Sequence, residues 1–576
     1  MRTSRRARAA GPGINAGAVA GVTLISLAFI VMPPVLGAQR TEVATPSDWR
    51  LSWSPLVLTA DLSQIGPAPS RFASILLHDT PRVGLLWPSG NVAGLPLGEV
   101  IALDERSPGR AHFRASGDSK SGEYARTTEP LRSRRALLRT EAWREFPGET
   151  DGEQSSSVPG PGDANATVLS GALNLSQSWN DGSTNALRQG GPSASPFVSF
   201  DSAAPSITAR RATLEGAFAA RRRAWLGGIA LGIETGEGVA SRSPRSRTTV
   251  GSAPGAAVGL GRIFLRDRLV VGAQARWVGR VESIDVGSNP GLTTLHDFSS
   301  LDDARKFEVT PLAPYYRRIV RDGRAYQAVM AGRAKRINWS LAGESSAMSE
   351  QVIRRRANSP PRDGWTVRAR SVTLAAESEL PKLGRSALVV SALDADGLVS
   401  RSDLTGVLLA QERSELRVAT HVRRTPRSSS RWDWFGAAQF DAVDDKRVDG
   451  LAGLVASTAA ISISGWSEIA RSFGSGTVIA IGTGGSTYTP RSVIPAGESL
   501  AAAAGRYLTP TQEYESAGAL VTHGTLLVRH SLRDRSTLWV GLAGSRIAPW
   551  RNGEQSAFAP TGTRRDLTFS MGATLR

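Results

Sequence analysis

The stretch that decides the fold is AAVGLGRIFLRDRLVVGAQARWVGRV, residues 256–281. In its second half, Val271 and Trp277 fall on one face of an extended chain, whereas Gln274 and Arg276 fall on the other. A period of two with unlike faces is the signature of a β-strand. The first half has the same period, and the polar turn LRDR joins the halves. The stretch therefore predicts a hairpin with one apolar and one polar face.

The same alternation returns along most of the chain after Thr167, and Leu416–Val422 shows it most clearly. The order of short turns and long loops fails once, between Leu451 and Pro510, which indicates one strand split or merged. A bacterial membrane barrel has an even number of strands. We predict an all-β fold, a transmembrane antiparallel meander β-barrel of about 16 strands, with a range of about 14–18.

Two sets of side chains favour a membrane barrel over a soluble sandwich or propeller. Tryptophans near strand ends are typical of aromatic girdles at the membrane interfaces; we assign to them Trp179, Trp225, Trp277, Trp339, Trp365 and Trp539. Polar groups on the opposite faces suit a wet lumen better than a dry core; we assign to the lumen Gln274, Arg276, Arg280, Arg417, His421 and Arg423.

The closing segment, Arg565–Arg576, alternates apolar and polar residues to the last positions of the sequence. Here the chain resembles bacterial outer-membrane β-barrel proteins, whose final strand carries the signal for the barrel-assembly machinery. The resemblance covers about residues 167–576 and is architectural. It implies an outer-membrane location, outer-membrane lipid and lipopolysaccharide as neighbours, and the assembly machinery as a partner. Members of this group usually end in an aromatic residue, whereas this sequence ends Leu575-Arg576.

The part before the barrel divides into three segments. Residues 1–38 read as a signal peptide, with four arginines before an apolar centre and small residues before a cleavage site. An uncleaved anchor is the alternative, because the uncharged stretch is long enough to span a membrane. Residues 39–110 are predicted to be a periplasmic lead-in or a small plug element. Residues 111–166 read as a disordered linker, since they are rich in charged residues, Ser, Gly and Pro.

Composition excludes several classes of function. The chain of 576 residues has no Cys, so it has no disulfide, thiolate metal site or cysteine nucleophile. Its 60 Gly suit close strand packing. A net charge of +18 ordinarily raises nucleic-acid binding. The arginines are spread over turns and alternate strand positions and the chain reads as exported, so we predict no nucleic-acid partner.

Catalytic and cofactor motifs were not found. The sequence has no P-loop, HExxH or GxSxG pattern. Its six His are scattered, so no local spacing supports a metal centre. His523 and His530 lie an odd number of residues apart on one candidate strand and should face opposite sides. We predict no catalytic residue, no metal, no cofactor and no enzymatic activity; a hydrolase site in loops around His296-Asp297 remains an alternative.

The expected function is that of a passive channel, transporter or surface scaffold of unknown substrate. If Arg276, Arg280, Arg417 and Arg423 line an open pore, their field favours anions. The alternative is that they pair across the lumen with acids such as Glu377, Asp433 and Asp441 and hold a closed barrel rigid. Arg242, Arg245 and Arg247 are candidate ligands for lipopolysaccharide phosphates. A secreted or periplasmic all-β binding protein is the alternative from another class.

Overall fold

The computed structural model describes 21 strands and one short 3-10 turn. The ranges it covers are 92–94, 109–122, 130, 132–147, 165–181, 198–201, 206–240, 247–265, 268–286, 293–298, 304–309, 315–334, 337–354, 363–380, 384–401, 407–423, 432–450, 453–474, 476–494, 514, 517–532, 536–549 and 562–575. The predicted signal peptide, residues 1–38, and the loop arginines Arg242 and Arg245 lie outside these ranges.

Eighteen of the described strands form one closed antiparallel ring in which each strand pairs with its neighbours along the chain. They are β1 (Gly109–Gly122), β2 (Arg132–Pro147), β3 (Ala166–Asp181), β5 (Ile207–Arg222), β6 (Trp225–Ala240), β7 (Arg247–Phe264), β8 (Leu269–Val286), β11 (Tyr315–Ala334), β12 (Ile337–Arg354), β13 (Asp363–Leu380), β14 (Gly384–Arg401), β15 (Leu409–Arg423), β16 (Trp432–Asp449), β17 (Val455–Ser472), β18 (Thr477–Ile494), β19 (Ala519–Leu532), β20 (Ser536–Pro549) and β21 (Arg564–Leu575). Pairing of β1 with β21 closes the ring.

The two ends of the barrel differ in the length of their connections. Connections of two to four residues, such as those between β5 and β6, β7 and β8, and β11 and β12, lie at one end, together with the start of β1 and the end of β21. The other end carries long loops, including 287–314 and 495–518. In bacterial barrels the short turns face the periplasm and the long loops face outward. We name the ends accordingly.

The outer wall of the ring is apolar. On β3, Leu169, Leu173 and Leu175 are exposed, whereas the alternating Val168 and Ala172 are buried. The same division recurs on the closing strand, where Leu567, Phe569 and Met571 are all about half exposed. A closed ring satisfies every strand edge, and its apolar outside suits lipid. The predicted outer-membrane barrel is therefore confirmed, and the 18 strands lie at the upper limit of the predicted range.

The predicted linker, residues 111–166, is wrong over most of its length. β1 and β2 fall in it, pair with each other over their full length and connect β21 to β3. The barrel thus begins at Gly109 and not at residue 167. The composition was misleading because charged residues lie on both faces of β2: Arg135, Arg139 and Glu141 face inward, and Arg132 and Arg134 face outward. Backbone pairing in a closed ring holds such strands without an apolar pattern.

The irregular region between Leu451 and Pro510 contains two long strands. β17 extends to Ser472 and β18 to Ile494, both well beyond the short apolar cores that the pattern showed. They join through a periplasmic turn, in which Phe473 N–H donates to the Thr477 carbonyl at 2.8 Å. A register shift at Ala459/Ala460 marks the pair. Both strands therefore take their places in the antiparallel ring, and the outer connection between β16 and β17, residues 450–454, is as short as a periplasmic one.

Three further strands form a small sheet on the outward-facing loops. They are β4 (Val198–Asp201), β9 (Thr293–Phe298) and β10 (Ala304–Val309), and β9 pairs with both of the others. His296 and Asp297, the pair considered for a hydrolase site, lie in β9. Among the described residues no helix has the length and apolar character needed to span a membrane.

Candidate functional site: the barrel lumen

Five of the six residues assigned to the lumen lie on two inward faces. Gln274, Arg276 and Arg280 occupy alternate positions of β8, opposite Gln327, Ala325 and Arg321 of β11. On β15, Arg417 and His421 face Asp441 and Ala437 of β16. Arg423 ends β15 opposite Phe435. The strand register places Gln274, Arg276 and Arg280 together on β8, and Arg417, His421 and Arg423 together on β15. That a solute passes along these residues remains a prediction.

A chain of charged hydrogen bonds runs along the inward faces of β15 and β16. Arg417 donates through Nε to Asp441 Oδ1 at 2.6 Å and through Nη2 to Glu415 Oε1 at 2.8 Å. Arg413 Nη2 donates to the other oxygen of Glu415 at 3.3 Å, and Gln439 Nε2 donates to Asp441 Oδ2 at 2.6 Å. Because i and i+2 residues share a face and opposite residues are neighbours, alternating charges on two strands form one network.

A second charged group lies above it on the same two strands, nearer the outer end. Asp445 accepts a hydrogen bond from Gln411 Nε2 at 2.6 Å, and its second oxygen lies 2.8 Å from Arg447 Nε. Asp445 and Gln411 are both buried. Hydrogen bonds to a charged acceptor are the strong ones, so these two donors fix the position of the Asp445 carboxylate.

Arginine and glutamate also pair across β8, β11 and β12. Arg276 reaches over β11 to Glu344, and Arg321 is bonded through two nitrogens to Glu350. Arg280 Nη2 lies 3.4 Å from Glu282. The Arg321–Glu350 pair is almost fully buried, with side-chain exposures of 4% and 0%. Of the two readings of the lumen arginines, pairing with acids describes Arg276, Arg280 and Arg417; for Arg417 the partner is one of the acids named, Asp441.

One short turn that precedes β1 in the chain lies in the periplasmic half of the lumen. The 3-10 turn Val92–Gly94 packs on β5, β6, β7 and β8. Its Val92 N–H donates to Gln274 Oε1 at 2.6 Å, and Val92 and Ala93 are fully buried. A Cβ on Gly228 would lie 2.8 Å from the Val92 carbonyl oxygen. Of the predicted segment 39–110, the structure describes this turn and the start of β1; the choice between a lead-in and a plug element stays a prediction.

Small side chains form the seat of that turn. Ala217 and Ala219 on β5, Ala230 on β6 and Ala257 on β7 are buried in one cluster with Val92. On outward faces of the same strands, large residues such as Leu231 and Leu260 are more than 60% exposed. Only small inward side chains leave room for a further piece of backbone inside the wall.

An aromatic group that the sequence analysis did not single out lies on the inward faces of β16 to β20. Trp466 stacks on His523 with ring centroids 4.8 Å apart, and Phe435 and Leu527 pack beside Trp466. The Trp466 Nε1 atom and both ring nitrogens of His523 are buried without a hydrogen-bond partner among the described residues. His530 lies on the other side of β19, exposed, with Nδ1 2.9 Å from Thr477 Oγ1. The two histidines thus lie on opposite faces of β19, as their odd spacing in the sequence predicted.

Four of the six tryptophans assigned to the membrane interfaces face outward. Trp225 and Trp339 lie at the periplasmic end, and Trp179 and Trp277 lie farther up β3 and β8. Trp277 Nε1 donates to Asp322 Oδ1 at 2.6 Å. At the periplasmic end, Arg262 lies over the Trp225 ring at 4.9 Å. Such amphipathic groups suit the interface between hydrocarbon and water.

The other two tryptophans differ from the prediction. Trp365 is fully buried in an inward cluster with Ile319, Met348 and Val399, and Trp539 packs against the inward cluster around Trp466. Each lies across a glycine: a Cβ on Gly397 would meet Trp365 at 2.1 Å, and one on Gly572 would meet Trp539 at 2.6 Å. Rings that cover cross-strand glycines stabilise sheets from either face. The position of a tryptophan near a strand end therefore did not show whether its ring faces lipid or the lumen.

Within the described residues no group of three or more His, Cys, Asp or Glu side chains is placed to hold a metal ion. The charged pairs and the aromatic group thus offer hydrogen bonding, ion pairing and stacking as the chemistry of the inner wall. The loops beyond β9 and β10 are not covered by this statement.

Several solved structures share the barrel architecture at low identity. The copper transporter OprC matches over 81% of this chain and 80% of its own, with 9% identity and a TM-score of 0.38. The ferric citrate transporter FecA matches over 80% and 78%, with 8% identity and a TM-score of 0.39. A FadL homologue of Pseudomonas aeruginosa matches over 89% and 99%, with 9% identity and a TM-score of 0.31. No family model and no curated protein matches the chain. The assignment as a barrel rests on the strand register itself.

Proposed function

We propose that this outer-membrane barrel is a passive channel for small polar solutes, narrowed on its periplasmic side by its own N-terminal segment. The observation that carries the proposal is the inner wall. Ionic groups lie at alternate positions of β8, β11, β12, β15 and β16, where a dry core would be apolar. Val92–Gly94 lies in the same interior, against the small inward side chains of β5 to β7 and bonded to Gln274 of β8.

Pairing of the arginines argues for weak charge selectivity. An unpaired arginine ring favours anions through its field. Here Arg276 has Glu344 as its partner, and Arg417 has Asp441 and Glu415, so the opposite charges offset each other within a few ångströms. The paired acids therefore cancel most of the field of the arginines in the wild-type protein. Removal of a carboxylate partner should produce the expected anion preference.

The test is ion selectivity in planar lipid bilayers, measured as the reversal potential in a salt gradient. We expect Glu344→Gln to shift the potential toward anion preference, because the Arg276 charge is unmasked, and Arg276→Gln to shift it toward cations. In the same way Arg276→Glu and Arg417→Glu should favour cations. The double variant Arg276→Gln/Glu344→Gln removes both charges and should return close to the wild-type value.

Each variant is first checked for a heat-dependent mobility change on gel electrophoresis, which shows that the barrel is folded. Folded variants with opposite shifts support the proposal. Unchanged reversal potentials in both folded single variants would show that the pair lies off the solute path. Absence of any conductance both in the wild type and in Gly228→Leu, which should displace the Val92–Gly94 turn, would favour a scaffold over a channel.

A further inference from the structure

A groove crosses the outer wall of the barrel where lipid lies. It has a volume of about 1030 Å³ and follows the strands from β21 through β1, β2, β3, β5, β6 and β7 to β8. Most of the residues that line it occupy outward positions, and the large ones among them, Leu138, Leu175, Phe569 and Met571, are all strongly exposed. The groove is thus a concavity in the lipid-facing surface and does not belong to the lumen.

The groove has an apolar part and a polar part. Ala115, Leu138, Phe569 and Met571 line it on β21, β1 and β2, at about the middle of the wall. Gln177, Thr235, Ser252 and Ser283 line it farther along, toward the outer ends of β3 to β8. A ligand that matches this surface has a hydrocarbon portion and a polar portion.

Outward-facing arginines border the groove on its outer side. They form what we call the arginine arc: Arg546, Arg565, Arg132, Arg134 and Arg210, all exposed. The register links them, since Arg546 lies opposite Arg565, Arg565 opposite Ser121, and Ser121 opposite Arg132. Gln177 lies opposite Arg210. Three exposed carboxylates lie at the outer ends of these strands, Asp181, Glu237 and Asp285, and Glu237 lies 3.5 Å from Arg210. Guanidinium groups outnumber acids in the arc.

The height of the arc identifies the membrane leaflet. Arg210 precedes the periplasmic end of β5, Arg222, by twelve residues, and Arg546 follows the start of β20, Ser536, by ten. A tilted strand needs about nine to eleven residues to cross the hydrocarbon. The arc therefore lies at the headgroups of the outer leaflet, at the level of the outward Trp179 on β3.

We infer that the groove and the arginine arc together bind one lipid A moiety of lipopolysaccharide. The guanidinium groups recognise its phosphates through paired N–H donors. One or more of its acyl chains lie in the apolar part of the groove, where they are held by van der Waals packing without burying a polar group. The occupant comes from the outer leaflet because the arc that borders the groove lies at that level. Other exposed arginines of these strands, Arg144, Arg222 and Arg262, lie near the periplasmic end, away from the groove.

The experiment uses the full-length protein, purified free of lipopolysaccharide and inserted in zwitterionic phospholipid nanodiscs. Purified lipid A is titrated, and its binding is measured by native mass spectrometry. We expect the double variant Arg134→Gln/Arg210→Gln to bind lipid A about tenfold more weakly. The matched control is Arg368→Gln/Arg370→Gln on β13, exposed arginines at the same distance from the periplasmic end but without a groove. It should retain wild-type affinity.

A second variant separates the acyl chains from the phosphates. Ala212→Trp places a large side chain in the groove without changing charge, and it should weaken lipid A while leaving any binding of inorganic phosphate unchanged. An equal loss of lipid A affinity in both arginine double variants would show that any exposed arginine at this height binds lipid A, and it would overturn the inference. Full affinity in folded Ala212→Trp would show that the groove is empty. Competition by inorganic phosphate alone, at the same strength as lipid A, would also overturn it.

Discussion

The inner surface of the barrel has two unlike walls. What we call the arginine wall, the inward faces of β8, β11, β12, β15 and β16, carries long charged side chains joined in pairs. The small-residue wall, the periplasmic half of the inward faces of β5, β6 and β7, carries Gly and Ala and holds Val92. Their outward faces are alike and apolar. The difference shows that lipid dictates only one face of each strand, while the other is free to bind solutes or to seat another segment.

The largest expected effect lies on the arginine wall. Glu350→Gln leaves the buried Arg321 guanidinium without its anionic partner, and breaking a buried pair in this way costs about 3–5 kcal/mol. The free energy of unfolding in urea, from vesicle-inserted protein, measures it. Glu237→Gln is the matched control because its pair with Arg210 is exposed, with side-chain exposures of 65% and 52%. It should cost about 1 kcal/mol or less. Equal losses would mean that burial does not distinguish the two pairs.

The next effect separates the two faces of one strand. Val418 lies on the outward face of β15 and Ala419 on the inward face, between Arg417 and His421. Val418→Arg should destabilise the barrel by about 2–4 kcal/mol, because a charge then faces hydrocarbon near the middle of the membrane. Ala419→Arg should cost clearly less, since the lumen side is polar. The free energy of unfolding of both variants is measured by urea titration. A greater loss of stability in Ala419→Arg than in Val418→Arg would reverse the assignment of faces. An aspartate at Leu416 or Val418 should also impair insertion, but less strongly than a basic residue.

The smallest change in stability is expected on the small-residue wall, where it has a functional counterpart. Gly228→Leu places a side chain where the Val92 backbone lies, so overpacking should cost about 1–3 kcal/mol unless the turn moves away. If the turn moves, single-channel conductance should rise above that of the wild type. Gly343→Leu is the control because a Cβ there meets no atom within 4 Å. A fully stable Gly228→Leu barrel with unchanged conductance would contradict a plug at Val92–Gly94.

Much of the barrel was predictable because the lipid face repeats a simple rule. Alternation in Val271, Gln274 and Trp277 gave both the strand and its sides. The rule failed for β1 and β2, whose outward faces mix Phe113 and Leu138 with arginines. It failed again for Trp365 and Trp539, because tryptophan is as useful over an inward glycine as at an interface. The pairing of Arg276 with Glu344 could not be foreseen, since it depends on which strands become neighbours.

By itself the sequence determined the strand type, the apolar outside and the presence of charged groups on the other face, because a period of two is a local property. It also placed the two histidines of β19 on opposite sides. Tertiary structure alone decided the ring of eighteen strands, the partners of each arginine, the position of Val92 against Gln274 and the groove in the outer wall. These depend on register and closure, which bring residues far apart in the chain within a few ångströms and which no local pattern specifies.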